Sequence, residues 1–157
     1  MHRIFFSQLF VAIAHSMVPQ NVDPEKTKEE ILGLHASDLA AILQGDDLAS
    51  RLAPEVVSVD GGHIDRLTRE ELFGHIADSF NGSQRRAEDD LETPIIRVSS
   101  DGTMAWAIVR TRYRYDNIRP GGKLETNESI SASVLIYEKH EGKWLVTASA
   151  TTEEPTK

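Results

Sequence analysis

The stretch PEKTKEEILGLHASDLAAILQ, residues 24–44, predicts a helix whose apolar face is interrupted by two polar residues. At about 100° per residue, that face is formed by Ile31, Leu34, Leu39, Ile42 and Leu43. His35 and Asp38 lie within the same face, three residues apart. Burying a carboxylate costs several kcal/mol unless the group is paired or borders a wet cavity. The helix therefore either contributes a satisfied polar pair to the core or lines a pocket.

Capping signals on both sides define the ends of this helix and predict a second one. Asp23 suits the N-cap, and Gly45 suits the C-terminal end. Residues 46–52 predict a short second helix, which Pro54 ends because proline interrupts helical hydrogen bonding.

The next segment predicts a strand, a turn and a third helix. Residues 55–60, EVVSVD, are rich in β-branched side chains, and Gly61-Gly62 follows as a turn. Residues 68–71, TREE, form a capping-box pattern that opens a helix reaching to about Phe80.

The second half of the chain predicts strands at residues 88–99, 103–115, 125–138 and 143–151. Helices followed by an antiparallel meander indicate an α+β domain, with about three helices on one face of a curved antiparallel sheet. We assign this domain to residues 23–152 and a polar tail to residues 153–157.

Residues 1–22 allow two interpretations. A basic start and the apolar run from Ile4 to Ala14 resemble a signal peptide, with a cleavage site near Ser16. Phe6 and Leu9, with other apolar residues, also share one helical face, as in a retained amphipathic helix. Both interpretations stay open. The cellular location is therefore unknown, with the cytoplasm favoured over a secreted or periplasmic location.

Composition restricts the classes of function. The chain has 157 residues, a formal net charge of −8 and a sequence pI of about 5.2. This acidity argues against binding to nucleic acid or to anionic membranes. The absence of cysteine excludes disulfides, thiol nucleophiles and thiolate metal sites. The sequence has no apolar run long enough to span a bilayer.

Three segments together resemble a known superfamily. They are AAILQGD at residues 40–46, LAPEVVSVDG at residues 52–61, and YEKHEGKWLVTAS at residues 137–149. Their order and spacing are similar to those of nuclear transport factor two, ketosteroid isomerase and the SnoaL-like polyketide cyclases. The resemblance implies a cone-shaped sheet that curls around the helices and holds an apolar small-molecule pocket at its open end.

The resemblance also implies positions for site residues. Asp38 occupies the place of the oxyanion-stabilising tyrosine of the isomerases, and Asp60 matches their general-base aspartate. Ser133 falls where the isomerases and cyclases carry an acidic residue. Because only Asp60 is kept, the sequence departs from the pattern required for ketosteroid isomerisation.

The residue types near these positions suggest acid–base chemistry. Asp60 ends a strand and precedes two glycines, so it is either a general base or a cap of the turn. His35 and Asp38 either polarise a substrate or form a structural pair. His63 follows the turn and can orient Asp60 or transfer a proton. Their spacing matches no recognised metal motif, so no metal site is expected.

Strand alternation places further candidates on opposite faces. Tyr113 lies on the face opposite Arg110, Arg112 and Arg114, and Met104, Trp106 and Ile108 share the arginine face. Ser129, Ser131 and Ser133 share one face of the next strand and would give a pocket a hydroxylated wall. The arginine face either binds an anionic group or is the solvated or dimer-facing side.

Two functions follow from these features. The first is a small-molecule-binding SnoaL-like domain, acting as an isomerase, cyclase or dehydratase on a small apolar or aromatic ligand. Asp60, Asp38 and His35 would be catalytic, and His63, Tyr113 and Ser133 would contact the substrate, without a cofactor. The alternative is a non-catalytic ligand-binding or association module that forms a homodimer through the sheet face.

Overall fold

The computed structural model describes residues 23–44, 48–79, 83–118 and 122–154. The predicted N-terminal segment 1–22 lies outside these ranges, as do residues 155–157 of the predicted tail. The assignments of residues 1–22 and of the tail boundary therefore remain predictions.

The described chain contains two α-helices, one turn of 3₁₀ helix and seven strands. The helices are α1, Pro24–Gln44, and α2, Arg69–Ser79, and the 3₁₀ turn is Ala49–Arg51. The strands are β1 (Leu52–Asp60), β2 (His63–Thr68), β3 (Ser83–Asp90), β4 (Ile95–Val98), β5 (Met104–Ile118), β6 (Leu124–His140) and β7 (Lys143–Glu153).

The described strands form one curved sheet in the order β2-β1-β7-β6-β5-β3, and β4 also pairs with β5. This arrangement confirms the predicted α+β class and the curved sheet. The sheet is antiparallel, as predicted, except at one junction, where β1 runs parallel to β7. The two strands come from opposite ends of the domain, so the local turn signals gave no information about their relative direction.

The predicted second helix over residues 46–52 is also wrong. Only Ala49–Arg51 form a helical turn, and Leu52 already begins β1. Pro54 lies inside β1 at a register irregularity between Leu52 and Val57, before the pairing with β2 begins at Glu55. A bulge tolerates proline because no ladder hydrogen bond is required from its nitrogen there.

Two further strand assignments differ from the prediction. Strand β2 was not predicted because it is exposed at every residue except Leu67, so its sequence has no apolar alternation. Gly61 and Gly62 have φ of 54° and 83° and form the two-residue turn that joins β1 to β2. In place of the predicted strand over residues 88–99, the structure has β3, which already begins at Ser83, and β4, and the two pair with different parts of β5.

The main core lies where α1 crosses the sheet. It is formed by Ile31, Ile96, Ala105, Ala107, Val109, Tyr137 and Trp144. Helix α1 contacts the sheet at β3 and β4, and Ile31 packs in one cluster with the small Ala105 and Ala107 of β5. Trp144 is 8% exposed, and its Nε1 donates to Glu30 Oε2 at 3.2 Å. This bond attaches β7 to the helix.

Neither α1 nor α2 is both long and apolar enough to cross a membrane.

The predicted capping box is present at the start of α2. Glu71 Oε2 accepts hydrogen bonds from Thr68 N at 2.8 Å and from Thr68 Oγ1 at 2.9 Å. In return, Glu71 N donates to Thr68 Oγ1 at 3.2 Å. These bonds hold the pKa of Glu71 below its usual value. The box fixes the start of the helix that forms part of the cavity wall described below.

We predict that Thr68→Ala lowers the free energy of unfolding by about 1 kcal/mol, because the backbone N–H of Glu71 loses its acceptor and the Glu71 carboxylate loses the Thr68 hydroxyl donor. Urea unfolding followed by circular dichroism measures this change. Thr93→Ala, at an exposed loop position, is the control and should change stability by less than about 0.5 kcal/mol. Equal effects of the two substitutions would contradict the capping role.

Candidate functional site

A cavity of about 710 Å³ lies between the helices and the concave face of the sheet. One wall is apolar and comes from the helices and the segment between them: Leu39, Ile42, Leu48, Leu52, Leu72 and Ile76. The opposite wall comes from the sheet and carries hydroxyl groups: Ser58, Thr111, Ser129, Ser131, Ser133, Ser149 and Thr151. A volume of this size is within the range of small-molecule sites.

The predicted strand faces explain the polar wall. In β5 the cavity is lined by the odd-numbered residues from Val109 to Asn117, and in β6 by those from Ser129 to Leu135. The arginines of β5 therefore point to the convex face, where Arg112 contacts Asp89 at 2.6 Å and Arg114 contacts Glu128 at 3.0 Å. They do not line the cavity.

His35 is held in the cavity wall by a carboxylate from β3. The residue is 4% exposed, and its Nε2 lies 3.0 Å from both carboxylate oxygens of Asp90. Thr111 Oγ1 donates to the same carboxylate at 3.3 Å. An ionised carboxylate only accepts hydrogen bonds, so Nε2 of His35 is the donor to Asp90. In a neutral imidazole the other nitrogen, Nδ1, is then the acceptor.

Asp38 has a different partner, Arg51, which comes from the 3₁₀ turn before β1. Arg51 Nη1 donates to Asp38 Oδ1, and Arg51 Nη2 donates to Ser37 Oγ at 2.9 Å. Burial raises the pKa of Asp38 above its usual value, and the hydrogen bond and charge of Arg51 oppose that rise. Burial, and to a smaller extent the charge of Asp38, raises the pKa of Tyr137, which is 1% exposed.

The two polar residues of α1 therefore line the cavity without forming the direct pair considered from the sequence. Each is satisfied by a separate charged partner, Asp90 for His35 and Arg51 for Asp38. Asp90 is 55 residues from His35 along the chain. No local pattern marked these partners, because ion pairs between distant segments depend on the three-dimensional packing.

The other candidates occupy different parts of the site. Asp60 lines the cavity at the end of β1 but is largely exposed, so it lies at the rim. Tyr113 and Ser133 also line the cavity, and Ser133 Oγ lies 3.0 Å from Thr151 Oγ1. His63 pairs with Asp60 in the β1–β2 hairpin but is exposed and is not among the lining residues.

Within the described ranges, no group of three or more histidine or acidic residues is arranged to hold a metal ion.

Comparisons with known proteins identify the fold. A superfamily protein related to nuclear transport factor two from Salmonella enterica superposes with a TM-score of 0.68 at 16% identity, covering 84% of this chain and 94% of that one. A candidate dehydratase of the same type from Streptomyces avermitilis gives 0.63 at 14% identity, covering 85% and 100%. The association domain of calcium/calmodulin-dependent kinase II from C. elegans gives 0.57 at 12% identity, covering 82% and 97%.

Neither a family model nor a curated protein matches the sequence. At these identities the structural matches establish the fold, which is the nuclear transport factor two-like or cystatin-like cone. The fold predicted from the three sequence segments is confirmed.

We predict that Asp90→Ala destabilises the protein by about 1–3 kcal/mol, because the buried His35 donor loses its acceptor. Asp89→Ala is the matched control, since Asp89 pairs with Arg112 on the convex face and is more exposed. That substitution should cost less than about 1 kcal/mol. Urea unfolding of both variants measures the difference, and a larger cost for Asp89→Ala would contradict the assigned pairing.

We also predict a pH dependence from Asp38. A folded-state pKa above the unfolded value, about 3.9, means that the folded state binds the proton more tightly. The stabilisation that protonated Asp38 contributes is complete below the unfolded pKa, and it is lost as the pH rises through the raised folded pKa. The difference in unfolding free energy between wild type and Asp38→Asn should therefore fall as the pH rises from about 4. A difference that increases with pH would contradict the shift.

Proposed function

We propose that this protein binds a small molecule in the concave cavity and catalyses a proton transfer there, as an isomerase, cyclase or dehydratase does. The observation that carries this proposal is that His35 lines the cavity and is held by the carboxylate of Asp90. A buried imidazole oriented by a carboxylate is a frequent general acid–base arrangement.

Each polar group has a defined role in the proposed chemistry. Asp90 fixes the ring and its tautomer, so that Nδ1 of His35 is the proton acceptor. The apolar helical wall excludes water from the reacting groups, which strengthens electrostatic interactions inside the cavity. Asp38, held by Arg51, supplies an oriented carboxyl group next to the histidine.

His35 is the preferred base because of its environment. Asp60, the base expected from the sequence, is exposed at the rim, where water competes with a substrate for the carboxylate. Asp60 remains the second candidate and contacts the part of a ligand nearest the rim. His63 is assigned no contact with the substrate, whereas Tyr113 and Ser133 are proposed to contact it. The fold shared with a candidate dehydratase supports a reaction of this class.

We expect a thermal-shift screen of small cyclic compounds to identify a ligand, and turnover of that ligand to fall about a hundredfold or more in His35→Gln. Glutamine keeps a side-chain donor for Asp90, so the variant should remain folded. His63→Gln, at an exposed position, is the control and should retain activity. Full turnover by His35→Gln combined with loss in Asp60→Asn would transfer the base role to Asp60.

A second function, self-association, is supported by the convex face of the sheet. One row of neighbouring residues crosses six strands: Ile64, Val59, Ala150, Val134, Ile108 and Ile95. Ile64 is 73% exposed and Ile95 is 50% exposed. The next row adds Val57, Ala148, Ile136 and Trp106. We call these two rows the convex belt.

The convex belt has the properties of a homodimer interface. It is continuous and apolar, and contiguous exposed patches of this kind commonly mark association sites. Ion pairs border it, including those of Arg110 with Glu154 and Glu92. A two-fold dimer would cover the belt of each copy with the belt of the other. The fold shared with a kinase association domain supports the proposal.

We predict that Trp106→Glu raises the dimer dissociation constant by about 30-fold or more, because a buried aromatic contact is replaced by an unpaired charge. Sedimentation velocity over a concentration series measures the change. Leu32→Glu is the control, because Leu32 is 39% exposed on α1, away from the belt. A monomeric wild type at all concentrations would rule out this association.

A further inference from the structure

The electrostatic character of the cavity indicates the chemical class of its ligand. Resting on the proposed ligand-binding function, we infer that the cavity accepts a small organic ammonium ion with an apolar body. The inference combines the charge of the lining with two tyrosine rings, a buried hydroxyl group and an apolar wall.

The charged residues that line the cavity are acidic. Among the described lining residues, Asp38, Asp60, Glu88 and Glu153 carry carboxyl groups, and none is lysine or arginine. Arg51 lies behind Asp38 and is occupied by that carboxylate. An anionic ligand would face these carboxylates, and no lysine or arginine among the described lining residues could pair with it, which is electrostatically unfavourable.

Asp60 and Glu153 place negative charge at the same end of the cavity. They lie at the carboxyl ends of β1 and β7, which are parallel neighbours with Val59 paired to Ala150. Neither forms an ion pair within the described ranges. A cation entering between them would therefore gain attraction without displacing an existing partner.

Aromatic rings line the wall of the cavity that the sheet forms. Tyr113 and Tyr115 both line the cavity from β5. Glu88, which is 7% exposed, is the register partner of Tyr113 on β3. Tyrosine rings attract ammonium groups through the negative face of the ring, and aromatic residues beside carboxylates are used to bind organic cations. This combination distinguishes an ammonium site from a site for a neutral hydrocarbon.

A buried hydroxyl group faces the same space. Ser131 is 4% exposed and lines the cavity, and its hydroxyl group has no hydrogen-bond partner within the described ranges. It lies on β6 directly between Thr111 and Glu153 in the sheet register. Because this hydroxyl group borders the cavity and can both donate and accept, an N–H or O–H group of a ligand is a suitable partner. The apolar helical wall opposite would contact the hydrocarbon part of the ligand.

Three probes with one ring and different charges test this inference: benzylamine, benzyl alcohol and benzoate at pH 7. Isothermal titration with the full chain should give a dissociation constant for benzylamine at least ten times lower than that for benzoate. Glu153→Gln should weaken benzylamine binding about threefold to tenfold. Glu154→Gln is the matched control, because Glu154 pairs with Arg110, and it should leave the constant unchanged.

The outcomes separate this inference from the proposed function. The ammonium assignment is overturned if benzyl alcohol or benzoate binds as tightly as benzylamine. If the ligand found in the screen also displaces that bound probe, the cavity nevertheless remains a ligand site. The ammonium assignment is also overturned if Glu153→Gln and Glu154→Gln weaken benzylamine binding equally, because the effect would then come from the net charge of the protein. The ammonium assignment is also overturned if none of the three probes binds at concentrations up to millimolar. The proposed function is tested separately, by the ligand screen and the turnover measurement.

Discussion

The structure depends on one constraint, which is the need to satisfy two polar side chains on the apolar face of α1. Desolvating His35 and Asp38 without partners would cost a large part of the stability of a domain of this size. Asp90 from β3 and Arg51 from the turn before β1 supply those partners. The helix is thereby attached to β3 and to the 3₁₀ turn before β1, and the cavity lies between α1, α2 and the concave face of the sheet.

The sheet separates two kinds of surface because successive side chains point to opposite faces. The concave face carries hydroxyl groups, tyrosines and carboxylates beside the helices. The convex face carries the apolar belt and, beside it, the arginine ion pairs. Ligand binding and self-association are therefore compatible in one molecule, and a dimer through the convex belt would leave the cavities accessible.

Features that depend on local patterns were predictable from the sequence, whereas features that depend on distant pairing were not. The bounds of α1, the Thr68–Glu71 capping box and the opposite faces of β5 are encoded by neighbouring residues. The parallel contact of β1 with β7, Pro54 within a strand and the exposed strand β2 were not recognised, because tertiary pairing overrides local propensity at these places. Similarly, the sequence indicated His35 and Asp38 as candidates for a pocket wall, which they line, but it did not indicate their partners Asp90 and Arg51.

The central claim is that a ligand in the cavity contacts His35. The most direct measurement is two-dimensional NMR of the histidine ring signals during titration with a ligand found in the screen, assigned by comparison with His35→Gln. We predict that the His35 ring resonances shift in a saturable manner, with a dissociation constant equal to that from calorimetry, while those of the exposed His63 remain unchanged. A ligand that binds with the same constant but leaves the His35 resonances unperturbed would contradict the account.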